Sequence, residues 1–232
     1  MPEKQLRSVA IVDYDAGNLF SVEHACKRVG VAPFIIRRPE DLRQADALIL
    51  PGVGAFGAAM KNLRKLDFVQ PLKEFVASGK PFMGICLGMQ LLFARSEEFG
   101  EHEGLNLIDG DVVKFPAVDE QGQKNKIPQI AWNQITSPSI NGESWRDTPL
   151  EQIANGEFMY FIHSFYAKPR NPDTVLAVTK YGGQTYCSAV MKENIFATQF
   201  HPEKSAAEGI NIYQCWANKI HRKQREREPH GR

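Results

Sequence analysis

The sequence has no apolar segment that approaches the roughly 20 residues a membrane-spanning helix needs. Its formal net charge is only +1, so we expect no general electrostatic attraction to nucleic acid or to an anionic membrane. The N-terminal segment, MPEKQLRSVAIVDYD, meets acidic residues within a few positions of its apolar run, which is not typical of a signal peptide. We therefore predict a protein that binds neither nucleic acid nor a membrane and works in the cytoplasm.

Cysteine is scarce, and its four occurrences (Cys26, Cys86, Cys187 and Cys215) lie far apart without CxxC spacing. This pattern argues against a zinc site and against a disulfide scaffold. It is consistent with a reducing compartment, and we predict neither a metal nor a cofactor. Except for Cys86, each cysteine is interpreted as a small buried side chain.

The remaining composition, with 43% hydrophobic and 24% charged residues among 232, is that of an ordinary globular protein. No internal repeat or linker is evident, so residues 1–220 are predicted to form a single domain. The last twelve residues, HRKQREREPHGR, are basic and lack apolar side chains. We predict that residues 221–232 form a disordered, solvated tail.

The first half of the chain alternates short apolar runs with amphipathic stretches, which predicts a parallel sheet covered by helices on both faces. The second half instead contains short strands separated by turn residues. We therefore predict an α/β fold with a largely parallel central sheet and additional mixed or antiparallel strands in the second half. The predicted strands cover 9–12, 33–36, 47–50, 81–85, 112–115, 159–162, 165–167, 175–179, 185–191 and 195–199, and the predicted helices 18–29, 68–77 and 206–220.

The segment 84–90, GICLGMQ, contains the sharpest local motif of the sequence. Glycines stand two residues before and two after Cys86, between an apolar strand and a predicted apolar helix with Leu87, Leu91 and Leu92. This is the pattern of a strained strand–turn–helix elbow that exposes a nucleophile. The helix N-terminus would favour the thiolate, and the backbone N–H of Leu87 would face a developing oxyanion. An isolated cysteine between glycines is more often a core residue, but this setting favours a nucleophile.

A cysteine nucleophile requires a base, and His201 follows a predicted strand in the segment 197–205, ATQFHPEKS. Pro202 favours an extended backbone at His201, so His201 and Glu203 would project from one face. A carboxylate bonded to one ring nitrogen leaves the other free to meet the thiol. A surface turn is the alternative for this segment alone, and His163 is the rival base. With the elbow in the same chain, a Cys86–His201–Glu203 triad is the preferred interpretation.

The segment 51–57, PGVGAFG, follows the third predicted strand and is rich in glycine, which permits unusual backbone angles. A phosphate-binding loop is an alternative, but the lysine of that motif is missing. We predict a second oxyanion donor from the Gly52–Val53–Gly54 backbone. Because a glycine-rich peptide can flip, this donor would be presented only when a partner is bound.

Together the ICLGMQ, HPEKS and PGVGAFG segments resemble those of the class I glutamine amidotransferases, and most of all the glutaminase subunits of imidazole glycerol phosphate synthases. The resemblance runs from Val9 to about Ser205 and also includes RSEE and FIHSFY. It implies a class I glutamine amidotransferase fold and glutamine as the substrate. It also implies the triad named above, an oxyanion site at Gly52, Val53 and Leu87, and substrate contacts at Gln90 and Glu98. His163, Ser164 and Phe165 are expected beside the same pocket.

The resemblance further implies a heterodimer with a (β/α)8-barrel cyclase that uses the ammonia to make imidazole glycerol phosphate in histidine biosynthesis. The expected contacts with this partner are Tyr14, Asn18, Trp132, Asn133 and Lys204. Two segments that resemble partner-facing ones depart from the family pattern. The family pattern Tyr-Gly-x-Gly-Asn is YDAGN in this chain, so Asp15 replaces a glycine. The family pattern Pro-His-x-Gly-Trp-Asn is PQIAWN, so Gln129 replaces the histidine and Ala131 the glycine. A paralogue that supplies ammonia for amidation of a surface-polysaccharide sugar is the alternative.

Overall fold

Strands and helices alternate along the first half of the chain, as the apolar runs predict. The computed structural model describes residues 6–119, 121–138 and 145–225, the last five by their backbone only. The α-helices are α1 (Leu19–Arg28), α2 (Phe56–Lys65), α3 (Val69–Ala77), α4 (Leu87–Gln90) and α5 (Ala206–Arg225). The strands are β1 (Ser8–Val12), β2 (Ala32–Ile36), β3 (Ala47–Leu50), β4 (Phe82–Ile85), β5 (Phe93–Ser96), β6 (His102–Glu103), β7 (Ile108–Lys114), β8 (Gln129–Gln134), β9 (Phe158–His163), β10 (Phe165–Pro169), β11 (Val175–Tyr181), β12 (Gln184–Lys192) and β13 (Ile195–Thr198).

Within the described residues, one sheet of eleven strands has the order β2-β1-β3-β4-β13-β12-β10-β7-β5-β6, with β11 paired to β12. The neighbours from β2 to β13 are parallel. From β13 through β12 and β10 to β7 the pairing is antiparallel. The predicted division between a parallel first half and a mixed second half is therefore confirmed.

Alternate side chains of the parallel strands enter two separate apolar cores, because successive residues of a strand point to opposite faces. Val9 and Ile11 belong to the core that contains buried side chains of α1 and α5. Ala10 and Val12 belong to the core that contains those of α2 and α3. Helices therefore cover the parallel part of the sheet on both faces, as predicted.

The C-terminal ends of the parallel strands lie at one edge of the sheet. Tyr14 follows β1, Gly52 follows β3, Cys86 follows β4 and His201 follows β13. The register places Thr198 opposite Ile85, so the last residues of β13 and β4 are direct neighbours. Segments far apart in sequence are thus assembled at the edge where open α/β sheets bind ligands.

Several local expectations were wrong. The elbow helix includes Leu87 but not Leu91 or Leu92, because α4 ends at Gln90 and β5 begins at Phe93. Helix α2 and strand β8 were absent from the predicted elements, and α5 runs to Arg225, beyond its predicted end at Ile220. Residues 226–232 of the predicted tail lie outside the described residues. Among the described residues, no helix combines the length and apolar character that crossing a membrane requires.

Gly88 permits the closest backbone approach beneath the elbow. A Cβ atom at this position would lie 1.8 Å from the carbonyl oxygen of Leu50, a backbone atom that cannot move independently of β3. We predict that Gly88→Ala destabilises the protein by at least about 3 kcal/mol, because overpacking at a fixed backbone contact must displace a strand or the elbow.

Gly30→Ala is the matched control for this substitution. Gly30 has φ +74°, and a Cβ there meets no atom within 4 Å. Its cost should be about 1 kcal/mol, from the left-handed backbone alone. Chemical denaturation of both variants measures the difference, and equal losses of stability would contradict the role assigned to Gly88.

Candidate active site

Cys86 occupies a strained turn between β4 and α4. Its backbone has φ 54° and ψ −110°, outside the regions that non-glycine residues normally adopt. The backbone N–H of Cys86 donates to Thr198 O at 2.7 Å, and its carbonyl accepts from the N–H groups of Met89 (3.0 Å) and Gln90 (3.2 Å). These bonds hold the elbow between β13 and the short helix. The predicted strained strand–turn–helix elbow is therefore present, with Cys86 at its turn.

His201 and Glu203 form a buried pair beside the elbow. His201 Nδ1 lies 2.8 Å from Glu203 Oε1, and both side chains are almost fully buried. The geometry differs from the sequence expectation, because the chain turns into a 3₁₀ helix at Pro202–Lys204 rather than staying extended. The two side chains meet across this turn. Because Gly209 has no side chain, α5 can pack closely against the carbonyl oxygen of Pro202 in this turn.

The charge state of His201 is set by its anionic neighbours. Burial lowers the pKa of His201, but the Cys86 sulfur and the Glu203 carboxylate together outweigh burial and raise that pKa to about 10. His201 Nε2 is buried without a hydrogen-bond partner among the described residues. With Nδ1 on Glu203, the free Nε2 is the atom that can exchange a proton at the reaction centre.

A cleft of about 260 Å³ opens directly on Cys86. Among its lining residues are eight of the predicted site residues: Val53, Cys86, Leu87, Gln90, Glu98, His163, Ser164 and Phe165. Gly54, Pro128 and Ile162 complete the lining. Residues from both halves of the sequence are therefore brought together around one sulfur atom.

Of the three predicted oxyanion residues, two line the cleft and the third, Gly52, does not. Leu87 lines the cleft and begins α4, so its backbone N–H stands in the first turn, where a helix offers no internal acceptor. Val53 lines the cleft and is 43% exposed. Gly52 lies behind it, where an added Cβ would be 2.4 Å from the Tyr14 hydroxyl and 2.9 Å from Leu87 Cβ.

Glu98 lines the cleft but also has a structural contact. Its Oε2 accepts the backbone N–H of Phe56 at 2.6 Å, at the start of α2. A carboxylate at this position satisfies a free helix N–H and complements the helix dipole. The Glu98 carboxylate is thus held in place at the cleft by the N–H of Phe56. The expected contact between Glu98 and the substrate stays a prediction.

A chain of buried polar side chains lies beneath β8 and β9. Tyr186 donates to Gln129 Oε1 at 2.9 Å, and the Tyr186 hydroxyl is 3.2 Å from His163 Nε2. Gln129 is fully buried. The expectation that Gln129 faces a partner is therefore wrong, because its side chain points into this interior network.

Tyr14 is also buried, and its predicted contact with a partner is wrong. Its side chain is fully inaccessible, and its hydroxyl donates to Pro51 O at 2.7 Å, which supports the glycine-rich loop. Asn18 caps α1 by accepting from the backbone N–H of Ser21. Asp15 has φ 63° and pairs with Arg37 at 3.5 Å on the surface.

The other predicted partner contacts lie on the outer surface. Trp132 is 49% exposed and packs edge-on against Tyr160, with ring centroids 6.1 Å apart. Lys204 is exposed, and its Nζ lies 5.9 Å from the same tyrosine ring. Asn133 is partly buried and donates to Lys180 O at 2.9 Å, so one face of its amide is engaged within the chain.

Sequence reasoning missed Gln199, which is fully buried next to Cys86. Its Nε2 donates to Cys86 Sγ at 3.6 Å, and its Oε1 accepts from Gln90 Nε2 at 2.9 Å. A glutamine two residues before His201 has no local sequence signature of its own. Its position immediately after an apolar strand was the one available signal.

The remaining cysteines differ from Cys86 in their surroundings. Burial raises the pKa of Cys26 to about 12, with Glu23 adding to the effect, and burial also raises the pKa of Cys187 and Cys215. All are buried and free, so they are neutral thiols in the core. No cluster of three or more His, Cys, Asp or Glu side chains that could hold a metal occurs within the described ranges.

The fold, the elbow and the buried His–Glu pair define a class of enzyme. The family model for "Glutamine amidotransferase class-I" matches residues 10–214, and the chain belongs to that family. Solved structures agree on the fold: PurLQS from Thermotoga maritima has a TM-score of 0.71 at 19% identity, covering 93% of this chain and 100% of that one.

Curated relatives are more specific. The chain is 49% identical over 209 residues to imidazole glycerol phosphate synthase subunit HisH 1 of Legionella pneumophila (strain Paris), covering 90% of this chain and 98% of the relative. It is 47% identical over 206 residues to subunit HisH of Syntrophotalea carbinolica, covering 88% and 96% respectively. The resemblance found in the motifs thus extends over nearly the whole domain.

His163 provides a test of the electrostatics of this site. Burial lowers its pKa to about 4; the hydrogen bond to Phe165 O partly opposes this, and the nearby His201 adds to the lowering. Because a carbonyl can only accept, the neutral ring donates from Nδ1 to Phe165 O at 2.8 Å. We predict that His163 stays neutral at pH 5.

The sign of the linkage follows from that depressed pKa. The unfolded chain takes up a proton near pH 6.5 and the folded chain does not, so the contribution of His163 should destabilise the protein as pH falls from about 6.5 towards 4. Nuclear magnetic resonance of the imidazole carbons, assigned with a His163→Gln variant, measures the midpoint. A midpoint near 6.5 would show that the ring is not buried as described.

Proposed function

We propose that this chain is the glutaminase subunit of an imidazole glycerol phosphate synthase. It hydrolyses glutamine to glutamate and delivers the ammonia to a (β/α)8-barrel cyclase subunit of histidine biosynthesis, which acts in the cytoplasm. The observation that carries this proposal is the cleft in which Cys86, Gln90 and Glu98 converge beside the His201–Glu203 pair. The HisH names of the relatives, at up to 49% identity, favour this pathway over sugar amidation.

The proposed reaction has two halves. The Cys86 thiolate attacks the carboxamide carbon of glutamine, and the N–H groups of Leu87 and the Val53 loop stabilise the resulting oxyanion. His201 Nε2 gives its proton to the departing nitrogen, so ammonia leaves and a glutamyl thioester remains on Cys86. His201 then accepts a proton from water, which attacks the thioester and releases glutamate.

Glu203 supports both halves of this reaction through His201. Its bond to Nδ1 fixes the ring so that Nε2 faces the sulfur, and its charge stabilises the imidazolium. The raised pKa of His201 means that the ring enters the first half protonated. A protonated ring is what the departing ammonia requires.

Cys86→Ala should lower glutamine hydrolysis by at least about a thousandfold, because it removes the atom that forms the covalent intermediate. The partner should still form its product when ammonium salts replace glutamine. Glutamate release and product formation are measured with the complex, and Cys187→Ala serves as the matched control. Substantial glutamine hydrolysis by Cys86→Ala would exclude Cys86 as the nucleophile.

The proposed docking surface is the exposed apolar face of the β8–β9 sheet. Its members are partly exposed large apolar side chains on one face of the two strands, and the last of them also lines the cleft: Ile130, Trp132, Phe158 and Ile162. Ile162 O lies 3.9 Å from Cys86 Sγ, so the Ile162 end of this surface adjoins Cys86. A partner that covers it would receive ammonia before the ammonia reaches bulk water.

Trp132→Ala should weaken binding of the barrel partner by about thirtyfold, since a central aromatic anchor is worth about 2 kcal/mol. Leu6→Ala is the control, because Leu6 is 57% exposed and precedes β1 at the opposite edge of the sheet. Calorimetric titration of each variant with the partner gives the affinities. Unchanged affinity for Trp132→Ala would place the interface elsewhere.

A further inference from the structure

Gln199 connects the nucleophile to the floor of the substrate cleft. It follows β13, its side chain is fully buried, and its backbone N–H donates to Ser188 O at 2.9 Å. The two ends of its amide have different partners: Nε2 donates to Cys86 Sγ and Oε1 accepts from Gln90. A fully buried amide with both ends engaged is fixed in one orientation.

The contact with Cys86 acts on the reacting atom. The Gln199 amide donates to Cys86 Sγ with Nε2 and Sγ 3.6 Å apart, and this sulfur is the atom that must become a thiolate to attack glutamine. Hydrogen bonds to charged groups are stronger than those between neutral groups. The Gln199 amide therefore stabilises the thiolate and limits the rotation of the Cys86 side chain.

The contact with Gln90 acts on the cleft. Gln90 Nε2 donates to Phe165 O at 2.8 Å and to Gln199 Oε1 at 2.9 Å, which uses both of its hydrogens. Gln90 Oε1 is then the polar atom left to the cleft, as an acceptor for the ammonium or carboxamide N–H groups of glutamine. Rotating this amide would lose both buried bonds.

We propose that Gln199 is a catalytic residue through its contact with Cys86 Sγ and a positioning residue that fixes Gln90 as a hydrogen-bond acceptor for substrate. The proposal rests on the proposed glutaminase function. One buried amide thereby couples activation of the nucleophile to orientation of the substrate-binding side chain. The two roles are separable by experiment, because Gln90 shares one of them and not the other.

The test compares Gln199→Met and Gln90→Met, which keep the side-chain length and remove the amide. The rate of Cys86 alkylation by iodoacetamide is measured against pH, and KM for glutamine is measured in the complex. Gln199→Met should raise the alkylation midpoint by about one pH unit, a tenfold loss of thiolate stabilisation, and raise KM about tenfold. Gln90→Met should raise KM about as much but shift the alkylation midpoint much less than Gln199→Met does, because the Gln199 N–H still reaches Sγ.

Three ionisable groups near the sulfur stay neutral around pH 7 and therefore do not contribute to the alkylation profile. Burial raises the pKa of Tyr14 and Tyr186 and lowers that of His163 to about 4, so these three stay neutral. The charged and titratable groups around the cleft are His163, His201, Glu203, Glu98, Tyr14 and Tyr186. None of them is altered in the two variants.

Ser188→Ala is the local packing control, because Ser188 is buried beside Gln199 and its hydroxyl has no partner among the described residues. It should move neither measurement. If Gln199→Met does not fold, Gln199→Asn keeps a polar amide that is one methylene too short to reach the sulfur, and the same shifts are expected. A wild-type alkylation midpoint in a folded Gln199 variant would overturn the proposal.

Failure of the proposed function is a different result. It would appear as a wild-type complex that releases no glutamate from glutamine, whereas alkylation of Cys86 needs neither glutamine nor a partner. The contact between Gln199 and Cys86 is therefore tested even in that case.

Discussion

The site depends on the close approach of three parallel strand ends, β3, β4 and β13. Glycine at 84 and 88 lets β4 and α4 pack against Ala197 and Leu50 without side-chain volume between them. This packing forces Cys86 to φ 54°, a conformation that costs on the order of 1–3 kcal/mol and persists because the surroundings fix it. The strained backbone of Cys86 directs its sulfur into the cleft. The packing of β3, β4, β13 and α4 around it offsets the cost of that strain.

In the proposed mechanism, electrostatics distinguishes Cys86 from the other three cysteines. Cys26, Cys187 and Cys215 are buried without a cationic imidazole beside them, so the charged thiolate is disfavoured. Cys86 is also buried, but it faces His201, whose charge is supported by Glu203. A buried cysteine can therefore be reactive only where a cation lies beside it, as His201 paired with Glu203 lies beside Cys86.

Much of this arrangement could be predicted from the sequence because it is encoded locally. Apolar runs marked the parallel strands, flanking glycines marked the elbow, and the spacing of His201 and Glu203 marked the pair. The failures concern contacts between distant segments. Gln199 meets Gln90 across 109 positions, and Tyr14 bonds to Pro51 across 37. Whether a polar residue faces a partner or the interior depends on such contacts, so Tyr14 and Gln129 were placed wrongly.

The central claim is that Cys86 carries the glutamyl group during turnover. Acid quenching of the complex during glutamine hydrolysis, followed by mass spectrometry of its peptides, tests this directly. A glutamyl adduct on the peptide that contains Cys86, absent from those of Cys26, Cys187 and Cys215, is the predicted result. Turnover with no adduct on Cys86, or with the adduct on another residue, would contradict the account.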